Sequence, residues 1–252
     1  MANTLLSGDF IIVNLAAYKI NLPAQIPFLG IPFYQLDLFN TGNPKINDLV
    51  VFRFPSFYSD KDSNYGTNLI KRIVAGPGDT LQIINKKIFV NGSEVNLPAT
   101  ISRSYKDIKI KGNEDKGIFY DGSGWNSDNF GPIIIPAKGD TIQINPANIN
   151  IWKQLIVFEY MKKVVREEGS VITIDDKHVR EYVIQKNQYF LIGDNFNNSR
   201  DSRYFGFINE DMMLGKAMFI YYSISKNIYA RSFLSRIRWD RLFKSVKESG
   251  KK

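Results

Sequence analysis

Cysteine is absent from the 252 residues and histidine occurs once. These two scarcities exclude thiol catalysis, a disulfide framework, and any zinc site built from cysteines or several histidines. Nowhere does the chain run for the roughly 18 uncharged apolar residues that a membrane-spanning helix needs, and the start shows no basic stretch leading into an apolar one. Glycine-rich phosphate loops and closely spaced metal ligands are missing too, so neither cofactor nor metal is expected. The lack of cysteine accords with an extracytoplasmic bacterial setting without requiring one.

What is present is enough apolar material, 44% of the chain, to bury a large interior. The formal net charge is +8. Eight basic residues against two acidic ones lie beyond residue 230, so six of those eight net charges sit in the tail. Such an excess invites phosphates or anionic lipid. A nucleic-acid partner is not expected, because the tail charge comes without aromatic stacking motifs. In the tail, Phe233, Leu234, Ile237, Trp239, Leu242, Phe243 and Val246 interleave with arginines, the pattern of an amphipathic surface helix, with packing onto the core as the competing reading.

The first half reads as strands. Residues 9–14, 49–54, 69–75, 81–84 and 87–90 are short β-branched or aromatic runs bounded by Gly, Pro, Asn or Asp. Asn85-Lys86 and Asn91-Gly92 predict hairpin corners. Gly76-Pro77-Gly78-Asp79-Thr80-Leu81-Gln82-Ile83 is echoed by Ala137-Lys138-Gly139-Asp140-Thr141-Ile142-Gln143-Ile144, which reads as turn chemistry used twice. Over residues 151–168, Leu155, Phe158, Tyr160, Met161, Val164 and Val165 recur at helical spacing and predict one amphipathic helix. Strands resume at 171–174 and 181–184. The expected fold is mainly β: an antiparallel β core formed by residues 1–92 and 186–224, an inserted smaller β-rich domain at 93–185 carrying the helix, and a basic amphipathic tail at 225–252.

Candidate chemistry concentrates in two places. Alternation along Asn68-Leu69-Ile70-Lys71-Arg72-Ile73-Val74 sends Lys71 to one apolar face and Arg72 to the other. Lys71 is either a strand lysine whose amine reaches water, or a buried amine whose pKa falls and which can serve as a general base. The second place is Gly193-Asp194-Asn195-Phe196-Asn197-Asn198-Ser199-Arg200-Asp201-Ser202-Arg203, a polar box between two core-like runs. Pinned to an interior, it must pair its own charges, with Asp201 and Arg203 the obvious couple. His178, in the polar turn Asp175-Asp176-Lys177-His178, is a poor place for a base or a ligand.

Taken in order with Thr4-Leu5, Asp48-Leu49-Val50-Val51-Phe52 and Pro77-Gly78-Asp79, these segments resemble the bacterial type I signal peptidases. That family carries a Ser-Met-x-x-Thr-Leu box, a Gly-Asp-(Ile/Leu)-Val-Val-Phe strand, an Ile-Lys-Arg strand followed by Pro-Gly-Asp, and a Gly-Asp-Asn-x-x-x-Ser-x-Asp-Ser-Arg box. The resemblance implies a membrane-associated serine endopeptidase, working by a serine–lysine dyad, that removes signal peptides from exported proteins at the outer face of the cytoplasmic membrane. Its partners would be those signal peptides and the lipid surface. Lys71 would be the general base, Ser199 would orient its amine, and Asp201, Arg203 and Arg72 would form the supporting network. Substrate would lie as an extended strand along Asn68, Leu69, Ile70 and Lys71. Met1, Leu5, Leu69 and Ile70 match the pocket for the residue before the cut, and Ile11, Val51 and Ile70 match the pocket two residues further back. Both would favour small side chains.

The family's nucleophile is the serine directly before the methionine matched by Met1. A chain beginning at Met1 is therefore expected to lack the attacking oxygen and the upstream membrane anchor, as an N-terminal truncation would, and to be inactive as it stands. The alternative is a non-catalytic relative that keeps the groove as a peptide-binding module. Ser7 and Thr4 are the nearby hydroxyls, and neither is in register to replace the nucleophile. Asn3, Asn47 and Phe196 stand where the family commonly has proline, glycine and arginine; asparagine suits the left-handed backbone a glycine would take at 47.

Overall fold

The structure is a computed structural model and describes residues 4–21, 37–55, 68–98, 101, 103–160, 165–168, 171–225 and 232–246. In chain order the elements of the first half are β1 (Asp9–Asn14), β2 (Lys19–Asn21), β3 (Asp37–Asn40), β4 (Leu49–Arg53), β5 (Asn68–Ala75), β6 (Thr80–Ile84), β7 (Lys87–Val90) and β8 (Ser93–Glu94). Then come β9 (Phe130–Ile134), β10 (Thr141–Gln143), α1 (Ile149–Tyr160), β11 (Val165–Glu168), β12 (Val171–Ile174), β13 (Lys177–His178) and β14 (Glu181–Val183). The last are β15 (Gln188–Ile192), α2 (Ser202–Phe205), β16 (Ile208–Asn209), β17 (Met213–Ser223), α3 (Phe233–Arg236) and β18 (Lys244–Ser245).

Seven strands make one antiparallel sheet in the order β1-β17-β4-β5-β15-β16, with β18 also on β17. A second sheet runs β8-β7-β6-β9, and smaller ones pair β10 with β14, β11 with β12 and β13, and β2 with β3. The architecture is thus mainly antiparallel β, as the alternating patterns predict. Its hairpin corners follow from turn chemistry: Asn85, Lys86, Asn91 and Gly92 all take positive φ, the geometry that matches the right-handed twist of the flanking strands.

The echoed segments make the same turn. Asp79 Oδ2 accepts from the Gly76 amide at 2.9 Å, and Asp140 Oδ2 from the Ala137 amide at 2.8 Å. Each turn then clasps a passing isoleucine through paired main-chain bonds, Gly78 and Asp79 with Ile135, Gly139 and Asp140 with Ile184.

β5 is central and is buried on both faces. Ile73 packs with Val50, Phe52, Leu191 and Phe205 on one side, while Val74 joins Leu81, Phe130, Phe190 and Ile156 on the other. Its first residues are exposed or half-buried and its last four are buried, so the strand dives from solvent into the interior at Lys71-Arg72.

Two expectations need correction. The helix predicted over 151–168 ends at Tyr160, and Val165–Glu168 is a strand paired with Val171–Ile174; Met161 and Val164 lie outside the described residues. β-branched Val165 fits a pleated surface, and its register opposite Ile174 buries it, so the tertiary pairing overrides the helical spacing. The tail is not one surface helix either. Among its described residues, α3 is a single turn, Trp239–Arg241 form a 3-10 turn, and β18 adds to the main sheet with Val246 buried beside it.

Candidate active site

Four stretches converge at the point where β5 enters the core. β5 supplies Lys71 and Arg72; the end of β15 and the loop into α2 supply residues 193–203; the lead into β1 supplies Thr4; and the stretch between β8 and β9 supplies Ser127 and Phe119.

Lys71 Nζ donates to Ser199 Oγ at 2.9 Å. Burial disfavours the ammonium and lowers the lysine pKa below its ordinary value; Asp201 and Asp194 oppose the effect and Arg203 adds to it. Desolvation dominates because each nearby carboxylate is already matched by its own arginine. Asp194 accepts Arg72 Nε at 2.9 Å and Nη2 at 2.7 Å, and Asp201 accepts Arg203 Nε and Nη2 at 2.8 Å each. Both pairs are fully buried and bidentate, the geometry in which such pairs hold shape best.

The network around these pairs is closed. Arg203 also donates to the carbonyls of Ser127 at 3.0 Å and Phe196 at 2.8 Å, and its guanidinium stacks 4.0 Å from the Phe196 ring centroid. Asp201 caps α2 through the Arg203 amide and accepts the Gly193 amide at 3.1 Å. Burial raises the Asp201 pKa, but the charge and hydrogen bonds of Arg203, with Lys71 and the Gly193 amide, outweigh it and hold the carboxyl below its ordinary range. Arg72 Nη1 donates to the Asn47 carbonyl at 2.9 Å, and Asn47 takes φ 73°, the left-handed backbone expected there.

Gly193 is required by space. A Cβ there would stand 2.0 Å from Ser199 Oγ and 3.4 Å from Lys71 Nζ. The stretch between β8 and β9 buttresses the box from outside, with the Phe119 amide donating to the Arg203 carbonyl at 2.7 Å and Tyr204 hydroxyl to Asp115 Oδ2 at 3.3 Å.

Of the residues that sequence singled out, the structure brings together Lys71, Ser199, Asp201 and Arg203. Arg72 reaches the same box through Asp194 rather than through Asp201. Leu5, Ile11 and Ile70 gather on one small cluster with Leu49, Ala217 and Val246, and Val51 is the cross-strand partner of Ile70. Leu69 packs on the opposite face beside Ile73, so it does not meet Ile70. Asn68 is exposed at the start of β5, His178 is exposed on β13, and Met1 and Asn3 lie outside the described residues. Ser7 is exposed, and Thr4 donates its hydroxyl to Asp194. Sequence reasoning missed Asp194 as the partner of Arg72, though it stands in the box, and missed the contacts made by Asp115, Phe119 and Ser127, for which no local signal exists.

β4 pairs with β5 from Asn68 to Arg72, whereas β15 pairs with β5 at Arg72, Ile73 and Ala75. Among the described strands, Asn68–Lys71 therefore has a partner on one side alone.

The sequence pattern of the family described as signal peptidase, peptidase S26, matches residues 1–222. The chain belongs to this family. Signal peptidase I of Buchnera aphidicola subsp. Baizongia pistaciae is 30% identical over 237 residues, which cover 90% of this chain and 68% of that one. Signal peptidase I of Helicobacter pylori (strain ATCC 700392 / 26695) is 27% identical over 268 residues, covering 98% of this chain and 82% of the relative. A solved signal peptidase I from Enterococcus faecalis V583 covers 69% of this chain at 16% identity and a TM-score of 0.35, too distant to add weight. Among the described residues, no helix of this signal peptidase family member is long and apolar enough to cross a membrane.

Proposed function

We propose that this protein is a serine–lysine signal peptidase that cleaves signal peptides from exported proteins, with Lys71 as general base. The observation that carries the reading is the 2.9 Å bond between Lys71 Nζ and Ser199 Oγ at the end of a half-paired strand. A desolvated amine with a depressed pKa is neutral closer to physiological pH and can take a proton. Ser199 holds it by one hydrogen bond and leaves its lone pair for the nucleophile.

In the family's box the attacking serine directly precedes the methionine matched by Met1, and the attack is assigned to the serine of that box. Its oxygen adds to the scissile carbonyl as its proton passes to Nζ. The ammonium so formed returns that proton to the leaving amine, and a water deprotonated by the same lysine then hydrolyses the acyl-enzyme. Substrate adds as a strand to the open edge at Asn68–Lys71, bonded through main chain. Leu5, Ile11, Val51 and Ile70 line the floor on which its small side chains rest.

The lipid surface as partner is supported by apolar side chains that no core covers. Phe10 and Tyr221 on β1 and β17 are 47% and 44% exposed, and Trp239 and Phe243 in the tail are 62% and 77% exposed. Exposed aromatics of this kind suit a membrane interface, in keeping with an enzyme held at the outer face of the cytoplasmic membrane.

Lys71→Met in the full-length protein is expected to lower kcat by about 10³-fold on a peptide carrying alanine at the cut and two residues before it, with KM little changed. Cleavage at near wild-type rate would remove Lys71 from the chemistry.

A further inference from the structure

The reaction proposed above needs the segment entering β1 to be held still, because that segment leads from the attacking hydroxyl to the pocket wall. Among the described residues, several contacts hold it to the core and to β17: the Thr4 hydroxyl on Asp194, Leu5 packed with Leu49 and Ile70, the Ile224 amide on the Gly8 carbonyl at 2.9 Å, and the Ser223 hydroxyl on Asp9 Oδ1 at 2.6 Å. Its own turn contributes two more: the Leu6 amide donates to Asp9 Oδ2 at 2.7 Å, and the Asp9 amide to the Leu6 carbonyl at 3.0 Å.

The far end of the chain adds a hold that reaches the Thr4 and Ser7 carbonyls and both oxygens of Asp9. Arg241 Nε donates to Asp9 Oδ1 at 3.1 Å, and Nη2 donates to Asp9 Oδ2 at 2.6 Å and to the Thr4 carbonyl at 3.0 Å. Arg238 Nη2 donates to the Ser7 carbonyl at 3.0 Å. Arg241 is 6% exposed although Trp239 and Phe243 on either side of it are 62% and 77% exposed. A tail needing this arginine for solubility or lipid alone would leave it outside. Instead the planar fork is turned inward, where its fixed donors bridge a carboxylate and a carbonyl five residues apart in sequence. The tail that carries it is itself fastened: the Arg238 amide donates to the Ser223 carbonyl at 3.0 Å, and the Val246 amide to the Met218 carbonyl at 3.0 Å. Buried Val246 shares its cluster with Leu5, Ile11 and Ile70.

We propose that Arg241, acting through Asp9 and the Thr4 carbonyl, is a positioning residue for hydrolysis: the C-terminal segment clamps the lead into β1 and sets its distance from Lys71 and Ser199. This deepens the serine–lysine reading and rests on it. Small displacements of a reacting group cost rate steeply, on the order of 10²-fold for about 1 Å, while ground-state binding along β5 is left alone.

The test uses the full-length protein, its Arg241→Ala and Arg241→Lys variants, and Lys71→Met as control. Two readouts are taken: amide hydrogen exchange, and kcat with KM on the alanine-bearing peptide. Arg241→Ala is expected to speed exchange of the Leu6 and Asp9 amides by about tenfold or more while the Ile73 amide, bonded inside the sheet, keeps its protection. It should lower kcat about 10–100-fold with KM within about threefold. Arg241→Lys should recover part of kcat, since an ammonium lacks the fork that spans both acceptors. Unchanged exchange at Leu6 and Asp9 with kcat within about twofold of wild type would overturn the proposal, as would loss of Ile73 protection in step with kcat, the mark of general unfolding. If Lys71→Met stays active the dyad reading falls, and the exchange measurement still decides the clamp.

Discussion

At the scale of single residues, the site is a problem of two buried guanidiniums, two buried carboxylates and one half-buried amine. Arg72 and Arg203 each take one carboxylate in a bidentate pair, and Lys71 has a hydroxyl as its hydrogen-bond partner. Desolvation therefore outweighs the opposing pull of Asp201 and Asp194 on the lysine, which suits a base. A lysine with a depressed folded-state pKa binds fewer protons folded than unfolded, so its cost is fully present at low pH. The cost is relieved as pH rises from the folded value toward the unfolded one of about 10.4. Lys71→Met is accordingly expected to raise Tm by a few degrees at neutral pH and to flatten the gain in stability on going alkaline, measured by thermal unfolding across pH. Asp201 works in the opposite sense: its pKa is held down, so its stabilisation exists above the unfolded carboxylate value and is lost as pH falls through the folded one.

At the scale of elements, β5 does most of the placing. Its two-faced burial pins Ile73 and Val74, and the register carried back from them sets Lys71 against the loop that follows β15. Gly193 lets that loop come close. Gly193→Ala is expected to push Ser199 off Lys71 and to cut kcat about tenfold or more with the fold retained, read from kinetics beside a circular dichroism melt. Much of this was legible in the sequence. Alternation located β1, β4, β5, β6 and β7, and asparagine and glycine corners located the turns between them. The partner of Arg72 and the end of α1 were not legible, because each is decided by a long-range contact: Asp194 lies 122 positions from Arg72, and β11 leaves the helical spacing for β12.

At the scale of the whole molecule, the site depends on parts of the chain that carry no chemistry. Residues 93–185 supply a carbonyl to Arg203 and an amide that takes its carbonyl, so they wall the polar box while sharing one hydrophobic cluster with Val74, Leu81 and Phe190. Arg238 and Arg241 from the basic tail turn inward to Asp9, where burial would raise the carboxyl pKa and bonds from Arg241, Ser223 and the Leu6 amide lower it instead. Charge counted along the sequence invites a phosphate or lipid surface, with packing onto the core as the competing reading; the contacts of Arg238 and Arg241 commit part of that charge to the protein itself. The two Gly-Asp turns repeat one clasp in two layers, which a short sequence echo hinted at and main-chain bonding makes plain.

The reading of the site stands on the protonation of one amine. Titration of Lys71 by NMR, following its 13Cε resonance in the full-length protein with Lys71→Met for assignment, measures that directly. A midpoint clearly below the roughly 10.4 of a free lysine side chain, matching the rise of kcat/KM with pH, is the expected result. A midpoint at or above that value, with activity rising at lower pH independently of it, would contradict the general-base role.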